Sequence, residues 1–324
     1  MPLLQRPAFT FTALALASTL AACGGGGSEA PDTSTAGPQT VQIQFAAVAG
    51  SQAVGCGTPL TGLGSTGATA QLRDLRFYIA NAALVRADGV EVPVTLGAND
   101  AWNLTVGQDR VTLIDLENAT GACPSATGTA GTNAVLKGQV PAGNYTGVKL
   151  SLGVPFALNH SDWANPATTS APLDIQALAW SWQGGRKFAK IEVTDPLAAS
   201  PVGTPGKWSA STFNVHLGST GCVGNPATGT QVSGCAAPNR MEFTLPQFNP
   251  ATQKIAVDLQ ALLASTDITA NTTGTAAGCM SGGTDPECLN VFKALAIDWQ
   301  ADGKGTGLPV QGGASQTVFR AVAP

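Results

Sequence analysis

Short segments of alternating apolar and polar residues, separated by turn residues, most constrain how this chain can fold. The clearest of them are Val41–Val48, Val111–Leu116, Tyr145–Leu152 and Phe213–Leu217. Alternation with a period of two puts one row of side chains on each face of a strand. Many short strands joined by turns predict an all-β domain, either a β-sandwich or a barrel-like fold.

Further segments extend this pattern along the chain. Leu72–Val85, the turn residues at 87–89 and Val90–Thr95 together predict a β-hairpin. Val257–Leu263 predicts a short helix or helical turn, and Ala294–Trp299 predicts another strand. The other predicted strands are Trp180–Val193 in two pieces around Gly184-Gly185, Met241–Leu245 and Ile255–Leu259.

The cysteines predict how the loops of such a domain are held. Of seven cysteines, Cys23 belongs to the N-terminal segment, and the other six are even in number. In an exported chain this indicates disulfides, and proximity along the chain favours Cys222–Cys235 and Cys279–Cys288. That leaves Cys56–Cys123. A thiolate metal site is the alternative, and the absence of any Cys-x-x-Cys spacing disfavours it.

Long segments without a strand pattern lie between the predicted strands. Loops of this length are unusual unless they are functional or cross-linked. We therefore expect long disulfide-stapled loops, several of which contain or border cysteines. The predicted loops are Thr58–Thr69, Gly121–Asn133, Ala164–Ala171, Leu197–Lys207 and Thr269–Glu287.

The N-terminus has the features of an export signal. Arg6 supplies a positive charge, and the apolar run Phe9–Leu20 is shorter than the about 20 residues that span a bilayer. Leu20-Ala21-Ala22-Cys23 resembles a bacterial lipobox, which predicts cleavage before Cys23 and lipidation of its sulfur. An ordinary signal peptide with an incidental Cys23 is the alternative. Gly24 in place of an Asp favours sorting to the outer membrane.

These features divide the chain into three parts. Residues 1–22 are the predicted lipoprotein signal peptide, residues 23–40 a flexible Gly/Ser/Pro tether, and residues 41–324 the β domain. We expect the mature protein to lie in the periplasm. Its only attachment to a membrane is then the lipid anchor.

Composition and motifs disfavour several functional classes. Charged residues make up 11% of the chain, the net charge is −4 and no basic stripe occurs, so nucleic-acid binding is not expected. No Gly-x-Ser-x-Gly elbow, Walker loop, dinucleotide fingerprint or haem-attachment motif occurs. The sequence therefore predicts a binding protein rather than an enzyme. Carboxylates that a hydrolase would need are present, without any two being singled out, at Asp162, Asp174, Glu192, Glu242 and Asp258.

The chain contains only two histidines, His160 and His216, each at the edge between a strand-like segment and a loop. Neutral imidazole is a good ligand for copper and zinc. From spacing alone, one surface histidine and one hydrogen-bonded histidine remain the simpler interpretation. Trp180 and Trp182 are two residues apart and would face the same side of a strand. Such a pair beside glycines also suits the alternative function, a carbohydrate-binding or adhesive surface lipoprotein.

Several segments in a fixed order carry a family resemblance. They are LGVPFALNHSDW, APLDIQALAWSWQGGRKF, NVHLGSTGC, and CAAPNRMEFTL followed by IAVDLQALL. In this order they resemble the MbnP-like copper-binding family, also called the metallo-mystery pair four-Cys-motif proteins. The resemblance extends from Val41 to the C-terminus. It implies a periplasmic β-rich protein that binds one copper ion.

The resemblance also implies how the copper site is made. A partner, a di-haem cytochrome c peroxidase of the MauG-like type, oxidises a tryptophan to kynurenine, and histidines and the kynurenine amine then hold the copper. His160 and His216 are the implied copper ligands. Trp182 is the first candidate for the modified residue because it adjoins the glycine turn, and Trp180 and Trp163 follow.

Other residues in the resembling segments have expected supporting roles. Asn159 or Asp162 is expected to support the imidazoles by hydrogen bonding. Arg186 stands where an aromatic residue is usual in the family, and we expect it to alter the surface around the tryptophans. Cys279 and Cys288 are additional to the four-Cys motif, and we expect them to form an extra staple.

Overall fold

The structure, a computed structural model, describes residues 37–180, 185–194, 212–225, 228–310 and 315–324. All of them belong to the unit Ala36–Pro324; the other unit, Met1–Thr35, lies outside the described residues. The predicted signal peptide, Cys23 and Trp182 are therefore not described. Within the described ranges, no helix is long and apolar enough to cross a membrane.

The described residues form mainly strands. In chain order these are β1 (Gln39–Ala49), β2 (Gln52–Ala53), β3 (Pro59–Leu63), β4 (Ala68–Arg86), β5 (Glu91–Pro93), β6 (Thr95–Leu96), β7 (Asn103–Val106), β8 (Asp109–Asp115), β9 (Val135–Val140), β10 (Tyr145–Leu152), β11 (Ala189–Thr194), β12 (Phe213–Leu217), β13 (Thr220–Asn225), β14 (Thr230–Ala237), β15 (Met241–Pro246), β16 (Lys254–Asp258), β17 (Gly278–Cys279) and β18 (Phe319–Val322). The helical segments are short: α1 (Phe156–Asn159), a 3-10 turn (Gln176–Leu178), α2 (Leu259–Leu263) and α3 (Cys288–Ala294).

Two sheets pack face to face. The first has the order β18-β16-β1-β9-β6, with β2 on β1; the second has the order β15-β10-β4-β11-β12-β17, with β3, β5 and β8 also on β4, and β7 on β8. Phenylalanine rings from the two sheets are in contact. The ring centroid of Phe77 in the second sheet lies 5.6 Å from that of Phe45 and 5.8 Å from that of Phe319, both in the first sheet. The described strands thus confirm an all-β sandwich and exclude a closed barrel.

The long central strand β4 determines where the candidate site lies. Phe77 faces the first sheet and belongs to the apolar core. Arg76 and Tyr78 point to the opposite face, because side chains alternate along a strand. The Tyr78 hydroxyl donates to the carbonyl oxygen of Pro172 at 2.8 Å. Residues 154–178, here called the covering segment, therefore pack over this second face.

Most predicted strands are confirmed, and one is wrong. Phe213–Leu217 is a strand with the predicted bounds, and the predicted hairpin forms between β4 and β5. The predicted strand Ala294–Trp299 is instead the last residue of α3 followed by a turn and a single bridge. Cys288, Val291 and Phe292 are buried at helical spacing. Burial of that helical stripe outweighs the strand-like character of the residues that follow.

The structure contains the three predicted disulfides, Cys56–Cys123, Cys222–Cys235 and Cys279–Cys288. The second joins opposing residues of the β13–β14 hairpin. The predicted loop Thr58–Thr69 is wrong in part, because it contains β3, which pairs with β4. Leu60 and Leu63 of this strand are completely buried, so their burial against the core accounts for the difference.

Candidate metal centre

The second face of the β4–β11–β12 sheet carries a cluster of charged side chains. Arg76, Lys190 and His216 stand opposite one another in the strand register, so their side chains point to the same side. Asp74 and Glu192 form the next row on that face. Each of these five residues is at most 8% exposed. Burial to this degree requires that the charges be paired.

Opposite charges alternate through this cluster. Arg76 donates to Asp74 with an N–O distance of 2.5 Å. Lys190 lies 2.5 Å from Asp74 and 2.8 Å from Glu192. The series ends at His216, whose Nε2 is 2.8 Å from Glu192 Oε1. The cluster therefore places a carboxylate directly against one imidazole nitrogen.

His216 is held neutral, with its proton on a defined nitrogen. Burial lowers the pKa of His216, although the hydrogen bond with Glu192 opposes the shift. Burial alone would raise the pKa of Glu192, but the hydrogen bond from His216 and the charge of Lys190 outweigh it and lower the pKa to about 2. A carboxylate accepts the Nε2 proton, which leaves the lone pair on Nδ1. This Nδ1 is buried and has no hydrogen-bond partner among the described residues.

Side chains from other segments fix the backbone at the end of β12. The Ser281 hydroxyl donates to the His216 carbonyl oxygen at 2.9 Å and accepts from the Gly218 N–H at 3.1 Å. Asn239 Nδ2 donates to the Gly218 carbonyl oxygen at 2.8 Å. His216 is therefore presented by a rigid strand rather than by a loop.

His160 lies in the covering segment, directly after α1, and is 8% exposed. Its ring packs on Phe156, with 5.0 Å between the ring centroids. Burial and the positive charge of Arg186 lower the pKa of His160 to about 4. Both histidines are thus neutral near pH 7, which is the form that binds a metal.

Arg186 anchors the covering segment from inside the protein. It is completely buried, and its guanidinium donates to the carbonyl oxygens of Asn159, Ser161 and Leu173 and to the Ser161 hydroxyl at 2.7–2.9 Å. Its backbone N–H donates to Asn159 Oδ1 at 2.8 Å. The expectation that Arg186 alters the surface is therefore wrong. The fork of guanidinium donors matches several carbonyl oxygens at once, which makes its burial possible.

The two edges of the His160 ring face different parts of the molecule. Nε2 lies 3.1 Å from Asn159 Nδ2 and 3.5 Å from Cys235 Sγ. Nδ1 is buried without a hydrogen-bond partner in the described ranges, and a Cβ added at Gly185 would lie 3.5 Å from it. Asn159 thus contacts the imidazole, whereas Asp162 accepts a backbone N–H within its own turn.

Two residues, Trp180 and Gly185, link the surroundings of both histidines. The Trp180 N–H donates to the Gly185 carbonyl oxygen at 3.0 Å. Gly185 lies beside His160, whereas the Trp180 indole packs on Gly218, two residues after His216. A Cβ on Gly218 would be 2.2 Å from Cζ3 of that ring, so the close approach requires glycine.

The tryptophan candidates occupy different environments. Trp180 is 8% exposed; its ring is not available to stack on a sugar, which argues against the carbohydrate-binding alternative. Trp182 lies outside the described residues. Trp163 is half-buried, and the ring that packs on His160 is that of Phe156.

Sequence reasoning missed two neighbours of the histidines. Glu192 is one of several carboxylates to which the sequence gives no role. The only sequence feature that distinguishes it is its place two residues after Lys190 in a predicted strand, which puts both side chains on the same face. Cys235 was assigned to a disulfide, and nothing in the sequence places its sulfur beside His160.

The donor set of this centre fits copper. Two buried, neutral imidazoles each keep an Nδ1 without a partner among the described residues, and imidazole nitrogen is a suitable copper ligand. Unpartnered buried polar atoms are costly. A metal bound to these nitrogens would remove that cost.

Comparison with known proteins agrees with the all-β fold. The MbnP family profile matches residues 38–281. The chain belongs to the MbnP family. MbnP from Methylosinus trichosporium, a solved structure, is similar at 36% sequence identity and a TM-score of 0.74, covering 88% of this chain and 99% of that one. No protein of curated function matches the chain significantly.

Membership of the MbnP family makes this a copper-related protein. The family match ends at residue 281. The disulfide Cys279–Cys288 crosses that boundary and ties α3 to the matched region. The predicted pairing of these two cysteines is confirmed.

Proposed function

We propose that this MbnP-family protein is an exported copper-binding protein, without enzymatic activity of its own, in which His160 and His216 hold one copper ion. The observation that carries the proposal is a pair of buried imidazoles, each with an unpartnered Nδ1 in the described ranges. Gly185 lies beside His160 and is hydrogen-bonded to Trp180, whose ring packs on Gly218 near His216. Leaving such an atom unsatisfied costs about 1–3 kcal/mol. Copper binding through these nitrogens would recover that cost.

The surrounding residues have separate roles in this proposal. Glu192 accepts the Nε2 proton of His216 and so keeps Nδ1 available. Pairs of carboxylate and histidine are typical of metal sites, where they orient the ring. Arg186 positions His160 by bonding the backbone on either side of it, at Asn159 and Ser161. When bound, the copper supplies a redox-active ion that accepts nitrogen ligands.

The third proposed ligand is the amine of a kynurenine made from a tryptophan. An indole N–H is only a donor, so unmodified tryptophan is a poor ligand. Peroxide-driven cleavage of the indole between C2 and C3 adds two oxygen atoms, and hydrolysis then releases formate and leaves an aniline-type amine. A di-haem cytochrome c peroxidase is the proposed partner for this oxidation. Trp182 is the first candidate, followed by Trp180 and Trp163.

The proposed location is the periplasm, with a lipid anchor in the outer membrane. The lipobox-like residues 20–23 support the anchor, and three disulfides suit an oxidising compartment. Incorporation of labelled acyl chains tests this. We expect labelling of the wild-type protein and none of Cys23→Ala; equal labelling of both would contradict the anchor.

The central test is expression with and without the di-haem peroxidase. We expect the co-expressed protein to carry one kynurenine in the peptide that contains Trp180 and Trp182, and to bind one copper ion. His160→Ala and His216→Ala should each lower copper affinity at least about tenfold, with unchanged circular dichroism. Trp299→Phe, at an indole outside this centre, is the matched control and should keep both properties.

Two results would contradict the proposal. Equal copper binding with and without the peroxidase would show that tryptophan oxidation is not required. Unchanged affinity in either histidine variant would remove that histidine from the site.

A further inference from the structure

A second set of metal ligands surrounds the other edge of His160. We propose that reduction of the Cys222–Cys235 disulfide creates a Cu(I) site from the two thiolates and Nε2 of His160. This site does not rest on the proposed function, because it requires neither His216 nor a modified tryptophan.

Three ligand atoms already lie together at this position. One atom from each of His160, Cys222 and Cys235 lies within 4.8 Å of the other two, and Nε2 of His160 is 3.5 Å from Cys235 Sγ. The two cysteines are directly opposite in the β13–β14 hairpin, with 3.8 Å between their Cα atoms. The strand pairing therefore keeps the two thiols side by side after the S–S bond is broken.

Contacts at the base of the hairpin hold it in place independently of the disulfide. The Ser219 hydroxyl donates to the Pro238 carbonyl oxygen at 2.9 Å, and Asn239 Nδ2 donates to the Gly218 carbonyl oxygen at 2.8 Å. These four residues lie outside the loop that the disulfide closes. A two-stranded hairpin is marginal on its own, so this anchoring preserves the geometry of the reduced form.

In this disulfide, unlike the other two, both cysteines are half-buried. Cys279 and Cys288 are at most 1% exposed, and in Cys56–Cys123 the half-buried Cys56 is joined to Cys123, which is 3% exposed. A surface cleft lined by Cys235 and Phe156 reaches it. A dithiol reductant therefore attacks here first. Two electrons and two protons convert the disulfide to two thiols, and the reductant is oxidised to its own disulfide.

The resulting ligands suit Cu(I). Thiolates select Cu(I), and imidazole completes a three-coordinate site; the two thiols release their protons to solvent as the metal binds. Nδ1 of His160 faces Gly185 and Nε2 faces Cys235. The state of the disulfide thus decides which edge of the ring has a complete set of ligands.

The experiment uses the mature full-length protein, expressed without the peroxidase so that no kynurenine is present. Brief anaerobic reduction with dithiothreitol is followed by alkylation and peptide mass analysis, and Cu(I) is titrated in competition with bicinchoninate before and after reduction. We expect alkylation of Cys222 and Cys235 but not of Cys279 and Cys288. The reduced protein should bind one Cu(I) at least about tenfold more tightly than the oxidised protein.

Variants separate this site from the proposed nitrogen site. His160→Ala and the double variant Cys222→Ser/Cys235→Ser should lose the gain in affinity on reduction. His216→Ala, which removes the proposed nitrogen site, should keep that gain. Loss of the gain in His216→Ala would place the Cu(I) at the nitrogen site and overturn the proposal.

Comparing the Cu(I) affinity of the wild-type protein before and after reduction also tests the proposal, and it does not depend on the folding of a variant. A reduced protein with native circular dichroism and free Cys222 and Cys235 thiols that binds Cu(I) no more tightly than the oxidised form would overturn the proposal. Reduction of Cys279–Cys288 before Cys222–Cys235 would do the same. Neither result affects copper binding by the oxidised, peroxidase-treated protein, so the two proposals fail separately.

Discussion

The environments of the two histidines differ in what holds each imidazole. His216 lies in a regular strand, and its Nε2 meets the carboxylate of Glu192. His160 follows a single helical turn, and its Nε2 faces the amide of Asn159 and the sulfur of Cys235. A carboxylate determines which ring nitrogen carries the proton. A neighbouring amide N–H and a sulfur do not favour the same tautomer.

The orientation of the Asn159 amide shows what this difference means for binding. Asn159 Oδ1 accepts from the Arg186 N–H, so its Nδ2 is directed at His160 Nε2 as a donor. In this arrangement Nε2 accepts, and the proton stays on Nδ1, the nitrogen proposed to bind copper. Under the proposed function, His216 can bind copper through Nδ1 without a change of tautomer, whereas His160 must first move its proton. We therefore expect copper affinity to depend on the hydrogen-bond partners of His160.

The largest expected effect comes from removing the anchor of the His160 side. Arg186→Met leaves the carbonyl oxygens of Asn159, Ser161 and Leu173 without their donor. We expect the free energy of unfolding to fall by about 3 kcal/mol in urea denaturation. Arg86→Met, at an ion pair whose side chain is 50% exposed, is the control and should lose less than about 1 kcal/mol. Similar losses in both variants would show that Arg186 is not the anchor.

Asp115, a buried carboxylate opposite Arg76 of the charged cluster, predicts a pH dependence of the stability. Asp115 accepts from the Thr129 hydroxyl near Arg76, and burial raises the pKa of Asp115 from 3.8 to about 7. The folded state thus holds this proton more tightly. Its contribution to stability is complete below pH 3.8 and is lost as the pH rises through about 7.

Denaturation of the wild type and Asp115→Asn at several pH values measures this effect. The stability of the wild type relative to the variant should fall by about 2 kcal/mol between about pH 5 and 8. A difference that does not change with pH would show that the fold does not raise the pKa of Asp115.

Removing the charge next to His216 should weaken copper binding more modestly. Glu192→Gln keeps the shape of the side chain but no longer fixes the proton on Nε2, so we expect copper affinity to fall about tenfold. Competition with a copper chelator measures the change after peroxidase treatment. Glu242→Gln, 60% exposed on β15, is the control. Equal affinities of Glu192→Gln and the wild type would show that the carboxylate does not prepare His216.

The smallest expected effect comes from a substitution that gives Nε2 of His160 the same kind of partner, a carboxylate, as Nε2 of His216. Asn159→Asp keeps the acceptor for the Arg186 N–H and places a carboxylate against Nε2 of His160, which moves the proton away from Nδ1. We expect copper affinity to rise about threefold, a small gain because the new charge is also buried. Asn165→Asp, exposed in the same segment, should change nothing. A lower affinity of Asn159→Asp would indicate that His160 binds through Nε2.

The strands and disulfides were predictable because their signals are local. Phe213–Leu217 alternates along its whole length, and two of the three disulfides join cysteines 9 and 13 residues apart. The failed prediction at Ala294–Trp299 has a local cause as well, since a short apolar run does not distinguish a strand from the end of a buried helix.

By itself, the sequence determined the all-β class and the identity of the only two imidazoles, and it favoured the observed pairing of the cysteines. The tertiary structure alone decided their neighbours. Glu192 meets His216 through the antiparallel register of β11 and β12, and Cys235 meets His160 across 75 residues of chain. Alternation determines only which face of a strand a residue occupies. The partner found there, and with it the protonation of each ring, depends on how segments remote in sequence pack together.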